Sequence, residues 1–323
     1  MSEFDLIAKY FSQHTVNTDL GIGDDAALIR ISADHQLAVS TDTLVAGTHF
    51  FHETAPYDIG WKSLAVNVSD MAAMGAMPKW ATLAIALPLA EETWIAEFSR
   101  GFFACASLFG IDLIGGDTTK GPLNINVNIM GEVATGKALR RSGAKVGDDI
   151  WVSGTIGDAA LGLAHAQNKL HSKFNLDDGY VEYCLNRLHR PQPRIRLGLA
   201  LLEFAHSAID VSDGLLSDLG HILKASNVGA EIHLNKLPCS LFASKHLHEK
   251  QIQQCILAGG DDYELCFTAP CNLRDKIQTI STDLHLPLTL IGNIHADSSV
   301  VVLDENKLAI TIDKTGYDHF AKS

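Results

Sequence analysis

Apolar residues return along the chain at two spacings. Trp61, Leu64, Ala65, Val68, Met71, Ala72 and Gly75 recur at the 3.6-residue period, which predicts a helix over about 61–74 with one apolar face. Ser63, Asn67 and Asp70 fall together on another face of it. A second helix is predicted over 93–108, where Trp94, Phe98, Phe102 and Ala106 form a stripe and Gly110 ends the run. Further helices are expected at 159–167, 194–206, 215–226 and 273–281. Short apolar runs predict strands at 37–40, 111–114, 124–130, 150–153, 208–211, 230–234, 264–268, 286–291 and 308–312.

These elements mix without strict βαβ alternation. An α+β or mixed α/β pair of domains is therefore expected, rather than a doubly wound sheet or a barrel. The segment 136–149, GKALRRSGAKVGDD, is rich in glycine and charge between two apolar runs and is the expected crossing between domains. The boundary is placed near 137, giving domains 1–137 and 138–323. At 323 residues and 46% hydrophobic, the chain is long and apolar enough for two cores.

Composition narrows the function. A net charge of -13, with 25 Lys+Arg against 38 Asp+Glu, repels a phosphate backbone, so nucleic acid is not an expected partner. No apolar run is long enough to span a bilayer, and MSEFDLIAKYF lacks the basic and apolar pattern of a secretory signal. The six cysteines form no C-x-x-C pair and read as reduced thiols in apolar runs. A cytoplasmic enzyme that handles phosphate with bound cations is the expectation.

Aspartate follows an apolar run in Gly23-Asp24-Asp25, Ser40-Thr41-Asp42-Thr43, Val68-Ser69-Asp70, Gly115-Gly116-Asp117 and Asp210-Val211-Ser212-Asp213. Any one of these is an ordinary cap or turn. Asp70 is different, because it falls inside the predicted helix, where capping has no use, and Val66, Asn67, Ala73 and Met74 offer it no cation. Magnesium suits dispersed carboxylates, since it takes oxygen donors and completes its shell with water and substrate phosphate. Zinc is not expected, because histidine and cysteine show no ligand spacing. Gly131 to Lys137 reads G-x-x-x-x-G-K, but Ala138 stands where Ser or Thr must hold magnesium, so the run reads as strand end and turn. Arg141 could grip phosphate in two places or be a plain surface charge. Gly259-Gly260-Asp261-Asp262-Tyr263-Glu264 is a tight turn or a crevice rim carrying three acids.

Taken in order, GIGDDAAL, STDTLVAGTHF, WKSLAVNVSDMAAMGAMP, LIGGDTT, LRRSGAKVGD, IDVSDGLLSDLGH, GGDDYELCF and GYDHF resemble the thiamine-monophosphate kinase family, within the larger group of aminoimidazole-ribonucleotide-synthetase-like enzymes. The resemblance runs from Gly21 to Phe320. It implies ATP-dependent phosphorylation of thiamine monophosphate, a homodimer formed through the N-terminal sheet, a C-terminal α/β domain and an active site between the domains. Residue by residue, it makes Asp25, Asp42, Asp70, Asp117 and Asp210 magnesium ligands. Ser40 and Thr41 supply further oxygens, and Asp213 holds another ion. Asp42, Asp70, Asp117 and Asp210 are the catalytic set. Gly116, Asp117, Arg141 and Ser212 are implied nucleotide contacts, and His49, Asp261 and Tyr317 match positions that meet the thiamine moiety. The family usually has Glu at Asp261 and commonly Phe at Tyr317.

The expected chemistry is direct in-line transfer, with several magnesium ions and no protein nucleophile. A potassium requirement is left open. Two other readings stand beside it: another ATP-using synthetase of the same superfamily, and a non-catalytic module whose aspartates hold structural calcium.

Overall fold

The computed structural model describes residues 3–312 and 315–317, apart from 172 and 175. Its backbone divides into two compact units, Met1–Met71 with Ala76–Ala138, and Ala72–Gly75 with Leu139–Ser323. The first contains α1 (Glu3–Tyr10), β1 (Thr18–Leu20), β2 (Leu28–Ile29), β3 (His35–Val45), α2 (Pro56–Met74), β4 (Met77–Leu87), α3 (Glu92–Phe109), β5 (Asp112–Lys120) and β6 (Asn124–Ala134), the last turn of α2 clustering with the second unit. Four of these strands form a sheet in the order β3-β6-β4-β5, with β4 and β5 parallel and the other neighbours antiparallel.

On β6, Ile125, Val127 and Ile129 are buried and alternate with half-buried Asn124, Asn126 and Asn128, as the two-residue strand repeat requires. The predicted apolar face of α2 is in the core, but Lys62, Ser63, Asn67 and Ser69 are buried too. This helix is enclosed on nearly every side rather than lying on a surface. It meets α3 at two glycines: a Cβ on Gly60 would stand 2.1 Å from Phe98 O, and one on Gly101 would stand 1.9 Å from Tyr57 O. Gly110 ends α3 as expected, in the left-handed region at φ 68°.

The second unit contains β7 (Asp148–Ser153), α4 (Asp158–Ala166), α5 (Asp178–His189), α6 (Ile195–Leu201), β8 (Ser207–Val211), α7 (Leu215–Ser226), β9 (Gly229–His233), α8 (Leu241–Lys245), α9 (Lys250–Ala258), β10 (Glu264–Pro270), α10 (Arg274–Leu284), β11 (Leu288–His295) and β12 (Val300–Leu303). Its six-stranded sheet runs β12-β9-β11-β7-β10-β8, antiparallel except at β12–β9. β7 and β8 are buried along their whole length, which is why they read as unbroken apolar runs.

Three expectations change. The central strand β4 is not among the expected strands, because MPKWATLAIAL is alanine-rich and opens on Met-Pro, both against strand propensity, while its buried neighbours supply the packing that decides it. The helix expected over 194–206 stops at Leu201. The strand expected over 308–312 is only a bridge from Ala309 to Leu303, since Val300–Leu303 takes the place beside β9. Among the described residues no helix is long and apolar enough to cross a membrane.

Candidate active site

β3 is an edge strand, so half of its backbone groups need partners from outside the sheet. The polar stripe of α2 supplies some of them. Asp42 donates its backbone N–H to Asn67 Oδ1 at 3.1 Å, and Asn67 Nδ2 donates to Ser63 O at 3.0 Å. Ser40 Oγ donates to Asp70 Oδ2 at 2.5 Å. A hydroxyl from the neighbouring strand thus reaches Asp70, a partner that its own helical neighbours do not supply. Thr41 lies on the opposite face of β3 from Ser40 and Asp42, and its Oγ1 donates to Val127 O at 3.0 Å. In the loop after β3, His49 Nδ1 accepts the Val45 N–H at 3.0 Å, which leaves Nε2 of the neutral ring as a donor.

A cleft of about 620 Å³ opens at β5. Asp24, Asp25, Gly116 and Asp117 form its polar lining, and Ile7, Phe11, Leu83 and Leu113 its apolar wall. Gly116 cannot be replaced cheaply: it has φ 156°, and a Cβ there would meet Leu83 O at 1.8 Å. The segment leading to Asp25 is pinned by Asp112, whose carboxylate accepts the N–H of Val16 and Asn17 and the hydroxyl of Thr18, at 2.6 to 3.1 Å. Sequence reasoning passed over Asp112, although an acid inside the apolar run Ile111–Ile114 was a signal for such a role. The sheet does not bring Asp42 and Asp117 together. Their strands are its two edges, roughly 14 Å apart at the usual strand spacing.

In the second unit Asp210 is buried near the end of β8, followed by Ser212 and Asp213. The N–H groups of Ser212, Asp213 and Gly214 converge on Asp218 Oδ2 at 3.0, 3.1 and 3.0 Å. Burial, and then the Asp213 carboxylate, push Asp218 up to about 7. Sequence reading missed Asp218, though an acid in the first turn of a helix is the usual sign of a side chain returning to the loop before it. Asp261 N–H donates to Ser212 O at 2.8 Å and Tyr317 N–H to Asp213 O at 3.0 Å, so backbone bonds gather these predicted site residues. Asp261 and Tyr263 have φ 68° and 51°, left-handed values that cost a non-glycine residue on the order of 1 kcal/mol each. Arg141 is exposed on the segment before β7. The end of GYDHF, 318–320, lies outside the described residues.

Among the described residues, no three of His, Cys, Asp and Glu stand close enough together to hold one ion. The candidate ligands are hard oxygens in ones and twos, a set that magnesium accepts when water and substrate phosphate complete its shell. They suit zinc poorly. Burial pushes Cys184 and Cys255 up to about 12 and Cys239 up to about 11, so these thiols are not poised as nucleophiles.

Two domains with this pairing of sheets and acid-lined turns define a class. Residues 23–133 match the N-terminal domain of AIR synthase related proteins, and residues 145–305 match the C-terminal domain. The chain is 48% identical over 322 residues to the thiamine-monophosphate kinase of Escherichia coli K12, covering 99% of this chain and 98% of that one. The crystal structure of thiamine-monophosphate kinase from Stenotrophomonas maltophilia K279a superimposes with TM-score 0.83 at 50% identity, covering 93% of each chain. AaThiL complexed with AMPPCP and TMP follows with TM-score 0.76 at 29% identity, covering 98% of this chain and 96% of that one. The chain belongs to the thiamine-monophosphate kinase family of AIR synthase related proteins.

Proposed function

We propose that the chain is a kinase that transfers the γ-phosphoryl group of ATP to thiamine monophosphate, giving thiamine diphosphate and ADP. What carries the reading is the cleft lined by Asp25, Gly116 and Asp117, in a chain similar over its whole length to thiamine-monophosphate kinases. A phosphate oxygen of the acceptor attacks the γ-phosphorus in line, one P–O bond forming as the bond to the bridging oxygen of ADP breaks. The acceptor phosphate is already largely ionised at neutral pH, so no protein base is required.

Positioning and charge neutralisation then make up most of the catalysis. Asp25, Ser40, Thr41, Asp42, Asp70, Asp117, Asp210 and Asp213 are the proposed magnesium ligands, Thr41 through its main chain because its hydroxyl is engaged elsewhere. When bound, magnesium neutralises charge on the phosphate oxygens. Gly116 offers backbone to the nucleotide, and Arg141 and Ser212 complete that set. Nε2 of His49 offers a donor to the substrate, with Asp261 and Tyr317 as its further contacts. A homodimer, cytoplasmic location and several magnesium ions per site belong to the same reading.

Thiamine diphosphate and ADP formation from ATP and thiamine monophosphate, followed chromatographically with magnesium and then with calcium alone, tests it. Product only with magnesium is expected; no product under either condition removes the reading.

A further inference from the structure

Asp262 follows the proposed substrate contact Asp261 and turns the other way, into the core of the second unit. It is 1% exposed. Its Oδ2 accepts the Gly157 N–H at 2.8 Å, and its Oδ1 has no hydrogen-bond partner. Arg187 Nη2 donates to Asp262 O at 3.2 Å, to Thr155 O at 3.3 Å and to Glu264 Oε1 at 3.0 Å. Arg194 holds Glu264 from another side, through Nε to Oε2 at 2.7 Å and through Nη2 to Oε1. Ser153 Oγ adds a bond to Oε2 at 2.6 Å. Asp158, the next acid inward, accepts from Thr155, Tyr180 and Tyr183.

Asp158, Asp262 and Glu264 are thus three buried carboxyls beside two arginines, and Glu264 alone takes side-chain bonds from both guanidinium groups. Burial holds Asp262 well above the usual carboxyl range, against the pull of Arg187 and of the Gly157 N–H. Burying so much polar chemistry is a poor way to add stability, since apolar side chains of the same volume do it at least as well. Its neighbours indicate another use. The residues on both sides of Asp262 are left-handed, and the Asp261 and Tyr263 N–H groups are tied to Ser212 O and Val211 O, each at 2.8 Å. A strained turn persists only where its surroundings over-determine it, and here the anchor sits at its centre.

We propose that Asp262 is a positioning residue: by holding the Gly157 N–H with its buried carboxyl, beside the bond from Arg187 to its carbonyl, it fixes the left-handed turn that presents Asp261 to thiamine monophosphate. This rests on the reading of Asp261 as a substrate contact. The test measures initial rates of full-length wild type, Asp261→Ala, Asp262→Asn and Asp262→Ala, varying each substrate in turn. Asp262→Ala should raise KM for thiamine monophosphate about tenfold and leave KM for ATP within about twofold. Asp262→Asn keeps an acceptor for the Gly157 N–H at nearly the same volume, so it should bring KM back to within about threefold of wild type.

An unchanged KM for thiamine monophosphate in Asp262→Ala, an equal rise in both KM values, or an Asn variant as impaired as Ala overturns the proposal. If circular dichroism shows Asp262→Ala unfolded, Asp262→Ser is measured against the same criteria. Asp261→Ala separates the two failures. No change there removes Asp261 as a contact, whereas a raised KM there with none in Asp262→Ala removes only the positioning role.

Discussion

The Asp25–Asp117 cleft of the first unit and the Glu264 cluster of the second use their acids in opposite ways. In the first, Asp25 and Asp117 are exposed on a cleft, and Asp70 is steadied by a serine hydroxyl. In the second, Glu264 is fully buried and takes bonds from two arginines and a serine. An acid meant to bind a cation from solution must stay within reach of water, whereas one that brings its own cations can be sealed in. The same side-chain chemistry thus stays open to solvent in one place and is closed in with its own cations in the other. Sequence alone does not separate the two uses.

Four measurements press on this contrast. Asp42→Asn should lower kcat by about a thousandfold or more while far-ultraviolet circular dichroism and melting temperature stay near wild type. Near-normal turnover would break the comparison at its open end. Glu264→Ala should instead cost about 3–5 kcal/mol in urea unfolding, because Arg187 and Arg194 are left buried without their anion. A loss below about 1 kcal/mol would mean that the sealed cluster is not held by charge. His49→Ala should raise KM for thiamine monophosphate about tenfold with a smaller fall in kcat, and an unchanged KM would remove His49 as a contact.

The smallest effect concerns Asp218, which belongs to neither extreme, being buried yet facing Asp213. Its carboxyl moves from an ordinary 3.8 up to about 7 on folding, so the folded state holds its proton more tightly than the unfolded chain. The stability that this contributes is complete below about pH 4 and is lost as pH rises through about 7. Asp218→Asn should therefore flatten the dependence of melting temperature on pH between these limits, measured without magnesium. A slope equal to wild type would show that Asp218 titrates alike in both states.

Much of the fold is legible in the order of residues alone. The period of Trp61 to Gly75, the stop at Gly110 and the buried runs of β7 and β8 are local signals, and the fold obeys them. β4 is not legible, because its strand character comes from β5 and β6 on either side rather than from its own alanines. The aspartates stand out because acid after an apolar run is rare enough to notice. Their partners do not: the Ser40–Asp70 bond joins residues thirty apart, and the bond from Gly157 to Asp262 spans more than a hundred. Asp112 is hidden for the same reason, since the backbone it holds lies more than ninety residues away, whereas Asp218 holds backbone only four to six residues before it.

The pairing of β3 also bears on the order in which the molecule assembles. β3 joins the sheet only through β6, from Val45 opposite Asn124 to His35 opposite Ala134, and that pairing closes a loop containing α2, β4, α3 and β5. The parallel β4–β5 pair closes only across α3. Loop-closure entropy therefore favours pairing of β4 with β5 before the strand carrying Ser40 and Asp42 docks. Amide exchange of β3 should be the fastest in the sheet, and slowing of that exchange by magnesium and nucleotide would report ligand binding as the final step of folding.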